Sequence, residues 1–134
     1  MVLSLSGIKV IELTSNIAGP YAGMMLADLG AEVVKIEKPG VDPNRDLGPE
    51  WKASIFVSYN RNKKSIAIDL ETKSGKDLIL ELLKGSDVFI ENLEPGFVEN
   101  LGLTYETVAN LNPKIIYWLD GVIRIILQIT CSII

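Results

Sequence analysis

The chain has 134 residues, 17 of them acidic and 13 basic for a formal charge of −4, with one cysteine and no histidine. That length suits a single domain with a real core, and the acidic balance argues against a nucleic-acid binder, whose phosphate contacts need a surplus of Lys and Arg. The missing histidine excludes Ser-His-Asp and Cys-His catalysis and His-ligated zinc for this chain, and Cys131 alone forms no internal disulfide. A lone thiol suits a reducing compartment. The opening MVLSLSGIKVIEL lacks the basic start and long apolar stretch of a signal peptide, so a cytoplasmic location is expected.

Ile8 to Leu13 is a short β-branched run that predicts a first strand. A polar Thr14-Ser15-Asn16 break leads through Gly19-Pro20 into a helix expected over Pro20 to Leu29, with Gly30 at the left-handed position past its end. Glu32 to Glu37 predicts a second strand, and Lys38-Pro39-Gly40 breaks it before a loop over Val41 to Glu50. Ile55 to Tyr59 and Ser65 to Leu70 are extended in character, joined by the polar turn Asn60 to Lys64. Thr72 or Ser74 caps a helix that runs to about Leu83, with Leu78, Ile79, Leu82 and Leu83 at helical spacing. Asp87 to Glu91 predicts another strand, Val98 to Leu101 a short helix, Thr104 the cap of a helix through Asn110, and Ile115 to Tyr117 a further strand. Strands alternating with helices in this way call for a parallel, doubly wound α/β layer structure with right-handed crossovers.

In open parallel sheets, ligands bind beyond the carboxyl ends of the strands, so the loops after Leu13, Glu37 and Glu91 are the places to look. TSNIAGP delivers the free N–H groups of a helix start, a geometry that suits a phosphate or carbonyl oxygen; alone it is ordinary turn chemistry, and the G-x-G-x-x-G fingerprint is missing. Lys38, Arg61, Lys63 and Lys64 form a cationic group attractive to phosphates, although an isolated basic run is more often a solvated turn. ENLEPGF places an amide and a turn glycine after the strand ending at Glu91.

The segments LSGIKVIEL, AGPYAGMMLADLGAEVVKIEKPG, NRNKKSIAIDL, GSDVFIENLEPGFVENLGL and NPKIIY, in that order and spacing, resemble the start of the family III CoA-transferases. That family, also called the carnitine and bile-acid CoA-transferase family, includes formyl-CoA transferase and α-methylacyl-CoA racemase. The resemblance implies a Rossmann-like parallel sheet with flanking helices, here an incomplete large domain formed by residues 1–117. It also implies an interlocked homodimer, coenzyme A as the bound part of an acyl-CoA substrate, a carboxylic acid as the second substrate, and no metal. By position, Asn16, Ile17, Ala18 and Gly19 line the thioester end, Lys38 and Lys63 meet the nucleotide phosphates, and Asn92 and Leu93 contact the cofactor.

Three residues depart from the family pattern. Glu94 stands where many relatives have arginine or a neutral residue and Asn100 where an arginine commonly helps bind CoA, which weakens the pull on the phosphates, and Ile17 replaces a glutamine common in the transferases, which bears on a formyl or oxalyl substrate. Transferases of the family use an aspartate nucleophile and pass through anhydride and aspartyl-CoA intermediates, and the racemases use a histidine and an aspartate. All of these fall downstream of NPKIIY, so no catalytic residue is expected in this chain. Residues 118–134, WLDGVIRIILQITCSII, depart from the glycine-rich continuation of relatives and look like sequence read out of frame from an AT-rich gene. Asp120 matches no nucleophile motif, and Asp120 and Arg124 interrupt a segment already short of the about 20 apolar residues that cross a membrane.

The expectation is therefore a truncated CoA-transferase by descent, inactive alone and prone to aggregate through unpaired sheet edges and its apolar tail. The alternatives are a racemase-like epimerase, a non-catalytic CoA-binding remnant, and an unrelated nucleotide binder.

Overall fold

The computed structural model describes residues 2–40, 45, 56–94 and 96–119. The expected loop over 41–50 apart from Arg45, Ile55, and the tail from Asp120 onward with Cys131 and Arg124 lie outside the described residues.

Five strands form one all-parallel sheet in the order β3-β2-β1-β4-β5: β1 (Lys9–Leu13), β2 (Glu32–Glu37), β3 (Lys64–Ala67), β4 (Val88–Glu91) and β5 (Ile116–Leu119). β1 and β2 bury Val10, Ile11, Leu13, Val33 and Ile36 on their two faces, as strands covered on both sides do, and the charged Glu12 and Lys35 are buried among them. Successive residues point to opposite faces, so Ile11, Leu13, Ile36 and Phe89 enter one core and Val10, Val33 and Ile90 the other. The chain winds outward from β1 to β3, then crosses back to lay β4 against the other side of β1. The crevice of a doubly wound sheet opens at that reversal, between the carboxyl ends of β1 and β4.

Helix α1 (Ala18–Asp28) starts two residues before the expected Pro20 and ends in a Schellman motif, in which Gly30 (φ 103°) donates to Ala27 O and Ala31 to Leu26 O. The apolar run around Ile55 to Tyr59 corrects the sequence reading, because residues 56–60 (α2) are helical rather than extended. A short apolar run has no decisive periodicity, and here the polar residues after it settle the matter by binding helix carbonyls. Asn60 Nδ2 donates to Phe56 O (2.9 Å) and Arg61 Nη1 to Ser58 O (3.1 Å), while Tyr59 meets Tyr21 edge-on at 5.8 Å.

Helix α3 (Lys73–Lys84) is capped by Thr72 and not Ser74; the Thr72 hydroxyl accepts from Gly75 N. Its Ile79 and Leu83 are fully buried against the sheet face that carries Ile11 and Phe89. Helix α4 (Phe97–Leu101) lies between Gly96 and Gly102, both at positive φ, and α5 (Tyr105–Leu111) is capped by Thr104 as expected. The boundary drawn after Tyr117 falls inside β5, since Trp118 and Leu119 continue the ladder opposite Ile90 and Glu91. No helix among the described residues is long and apolar enough to cross a membrane.

Candidate functional site

A cleft of about 170 Å³ opens at the carboxyl ends of β1, β2 and β3. Its apolar floor is Leu13, Ile36, Ile68, Leu70, Leu93 and Phe97, and its polar rim includes Thr14, Ser15, Lys38, Asp69 and Glu71. Lys38 is mostly exposed, and its Nζ donates to Glu71 Oε1 (3.1 Å) in a solvent-facing ion pair on the cleft rim. Glu37, at the end of β2, is committed elsewhere. Its carboxylate accepts two bonds from Arg45 (2.7 and 2.9 Å) and one from Ser65 Oγ (2.6 Å), and the Arg45 guanidinium in particular holds it below the usual carboxylate range.

The loop after β1 is held from three directions. Thr14 Oγ1 donates to Glu12 Oε1 (2.7 Å), Lys35 Nζ to Thr14 O (2.8 Å), and the Asn92 amide binds the backbone N–H and carbonyl of Ser15. Asn16 follows in a left-handed conformation (φ 62°), and α1 begins without a side-chain cap, leaving its first N–H groups without helical acceptors.

Beneath this loop lies a buried charge cluster that sequence reasoning missed. Glu12 is fully buried in the middle strand, with Lys35 Nζ 3.2 Å from Oε1 and Lys63 Nζ 2.7 Å from Oε2, and both lysine side chains are 2% exposed. Lys63 also donates to Pro20 O (2.7 Å) and Asn60 Oδ1 (3.1 Å). Glu12 Oε2 makes no well-aligned hydrogen bond, so its contact with Lys63 is chiefly Coulombic. Burial pushes the Lys63 pKa down, and the nearby Glu12 carboxylate opposes that shift. The signal was present in IKVIEL: a carboxylate pointing into a covered strand face needs a cation, and Lys35 in EVVKIE points the same way.

The residues singled out from the sequence divide accordingly. Asn16, Ile17, Ala18 and Gly19 form the loop and first turn of α1 at the crevice, Lys38 stands on the cleft rim, and Leu93 lines the floor. Lys63 lies beneath that first turn, buried on Glu12 and Pro20 O rather than turned to solvent, and the Asn92 amide binds Ser15. The basic turn as a whole is matched by carboxylates, Arg61 with Asp28, Lys63 with Glu12 and Lys64 with Glu32. Among the described residues no group of three or more His, Cys, Asp or Glu could hold a metal ion.

Glu91, fully buried at the end of β4, accepts from Leu93 N (3.0 Å) and lies 3.4 Å from the Tyr117 hydroxyl, which donates to Leu103 O (3.0 Å). No cation pairs with Glu91 in these contacts, and burial pushes its pKa above the ordinary 4.5. A carboxyl whose folded pKa is raised loses stability as pH rises from its unfolded value through its folded one. Glu91→Gln should therefore raise the melting temperature at pH 7, and the gain should vanish below about pH 4, where both proteins carry a neutral group. Thermal scans across that range check it; an unchanged or lower melting temperature at pH 7 would contradict it.

The family model described as CoA-transferase family III matches residues 5–119. The chain is similar to the succinyl-CoA:glutarate CoA-transferase of Homo sapiens, 45% identical over 117 residues, covering 84% of this chain and 27% of the relative. It is also similar to a formyl-CoA:oxalate CoA-transferase of Streptomyces avermitilis, 40% identical over 121 residues, covering 87% and 29%. The crystal structure of a CAIB/BAIF family protein from Brucella suis superposes with a TM-score of 0.83 at 40% identity, covering 89% of this chain and 33% of that one. The chain thus spans under a third of the length of these curated relatives.

Proposed function

The chain belongs to CoA-transferase family III, and on that premise we propose that it forms the CoA-binding part of an enzyme that moves CoA between an acyl-CoA and a carboxylic acid. The observation that carries this proposal is the family match over 5–119 together with a cleft at the carboxyl ends of the strands. In the proposed arrangement, Lys38 meets the nucleotide phosphates, Leu93 and the apolar floor hold the flat or aliphatic parts of the cofactor, and the loop Asn16–Gly19 faces the thioester end. No metal is required, and no catalytic group is assigned to this chain. Transfer is favoured over α-proton exchange because relatives at 40–45% identity are named as CoA-transferases, including one that acts on succinyl-CoA and glutarate. A short dicarboxylic acid is the acceptor class to try first.

Calorimetry with CoA tests the binding. CoA should bind through its phosphates, and Lys38→Ala should weaken it about fivefold, the value of a solvent-exposed ion pair. No measurable binding, or an affinity indifferent to Lys38, would overturn the proposal.

A further inference from the structure

The Asn92 side chain makes a two-point contact with one residue 77 positions earlier: Oδ1 accepts from Ser15 N at 2.8 Å, and Nδ2 donates to Ser15 O at 2.8 Å. An amide paired both ways with a backbone imitates a neighbouring strand. It takes over where the β1–β4 ladder ends, at Leu13 opposite Glu91, and so bridges the two strands at the mouth of the crevice. The segment it grips turns sharply at Asn16, whose φ of 62° lies in the left-handed region that asparagine enters more readily than other non-glycine residues. Gly19 passes close behind the same amide, where an added Cβ would lie 3.1 Å from Asn92 Cγ.

We propose that Asn92 is a positioning residue: its amide fastens the Thr14–Gly19 loop to the end of β4, and the loop, not the amide, meets the ligand. Oδ1 and Nδ2 each give one of their two hydrogen-bonding positions to Ser15, and this paired contact fixes the amide plane on the loop backbone. The identity of that ligand as CoA rests on the function proposed above.

The test uses the 134-residue chain, comparing the parent protein with Asn92→Ala and Asn92→Asp by amide exchange of residues 15–19 and by calorimetry with CoA. Asn92→Ala should speed Ser15 exchange and weaken CoA, each about tenfold. In Asn92→Asp the carboxylate still accepts from Ser15 N–H but opposes the Ser15 carbonyl. Its loss of affinity relative to the parent should therefore shrink as pH falls into the carboxylate range and a donor is restored. If Asn92→Ala does not fold, this pH-dependent recovery decides the matter. Weaker CoA binding with loop exchange unchanged would mark Asn92 as a ligand contact and overturn the proposal, as would unchanged exchange in both variants. A parent protein that binds no CoA would sink the CoA assignment alone, and loop exchange would still judge the clamp.

Discussion

Glu12→Ala should cost about 3–5 kcal/mol of folding free energy, the largest loss expected from any single substitution in the described part of the chain. The reason is the count of charges around one carboxylate. Glu12 is fully buried between Lys35 and Lys63, whose side chains are each 2% exposed, so its removal leaves two ammonium groups facing each other without an anion. Thr14 Oγ1 loses its acceptor as well, and with it one tie of the loop at the crevice. Glu12→Gln, which preserves shape but not charge, should fall between alanine and the parent. Lys63→Met should be milder than either because it leaves a neutral Glu12–Lys35 pair. Urea denaturation of the three variants gives the ranking; an alanine variant as stable as the parent, or a methionine variant worse than it, would refute the assignment of the cluster.

Gly19→Ala should destabilise by about 1–3 kcal/mol and weaken ligand binding together. The added methyl would sit 2.6 Å from both Cβ and Cγ2 of Thr14 and 3.1 Å from Asn92 Cγ. Thr14 is buried and branched at Cβ, and its hydroxyl is engaged by Glu12, so it cannot swing aside. The loop must move instead, and it is the part of the crevice proposed above to face the thioester end. Gly85→Ala is the control: Gly85 has φ −99°, its nearest obstacle is Leu82 O at 4.0 Å, and alanine there should be neutral or stabilising by up to about 1 kcal/mol. Equal effects at the two positions in melting and calorimetric experiments would show that the close approach at Gly19 carries no weight.

Most elements of the fold were legible in the chain because they depend on short-range features. Glu32 to Glu37 reads as a strand from its own β-branched content, Thr72 and Thr104 cap helices through hydroxyls that reach an N–H three residues on, and Gly30 ends α1 by adopting a left-handed turn. The exception, 56–60, failed where the local signal is weakest: a short apolar run fits strand or helix equally, and Asn60 and Arg61 decided it by capping carbonyls.

The site was legible in its outline and not in its partners. Loop positions at the carboxyl ends of strands follow from the α/β pattern, which is why Lys38 and Leu93 line the cleft and Asn16–Gly19 continue the loop after β1 from Thr14 and Ser15 on its rim. Which cation stays available depends on pairings between residues far apart in the chain. Lys38 and Lys63 both follow or precede a strand and look alike in sequence, yet one stands on an open rim and the other lies against Glu12. Asn92 likewise reads as an amide in a turn until β4 is laid beside β1 and brings it to Ser15. By itself the sequence determined the strands, the helices other than 56–60, the doubly wound class and the family, because local spacing and residue type carry that information. Only the tertiary structure decided which polar groups are spent on one another and which remain for a ligand, because burial turns a solvated charge into one that must find a partner.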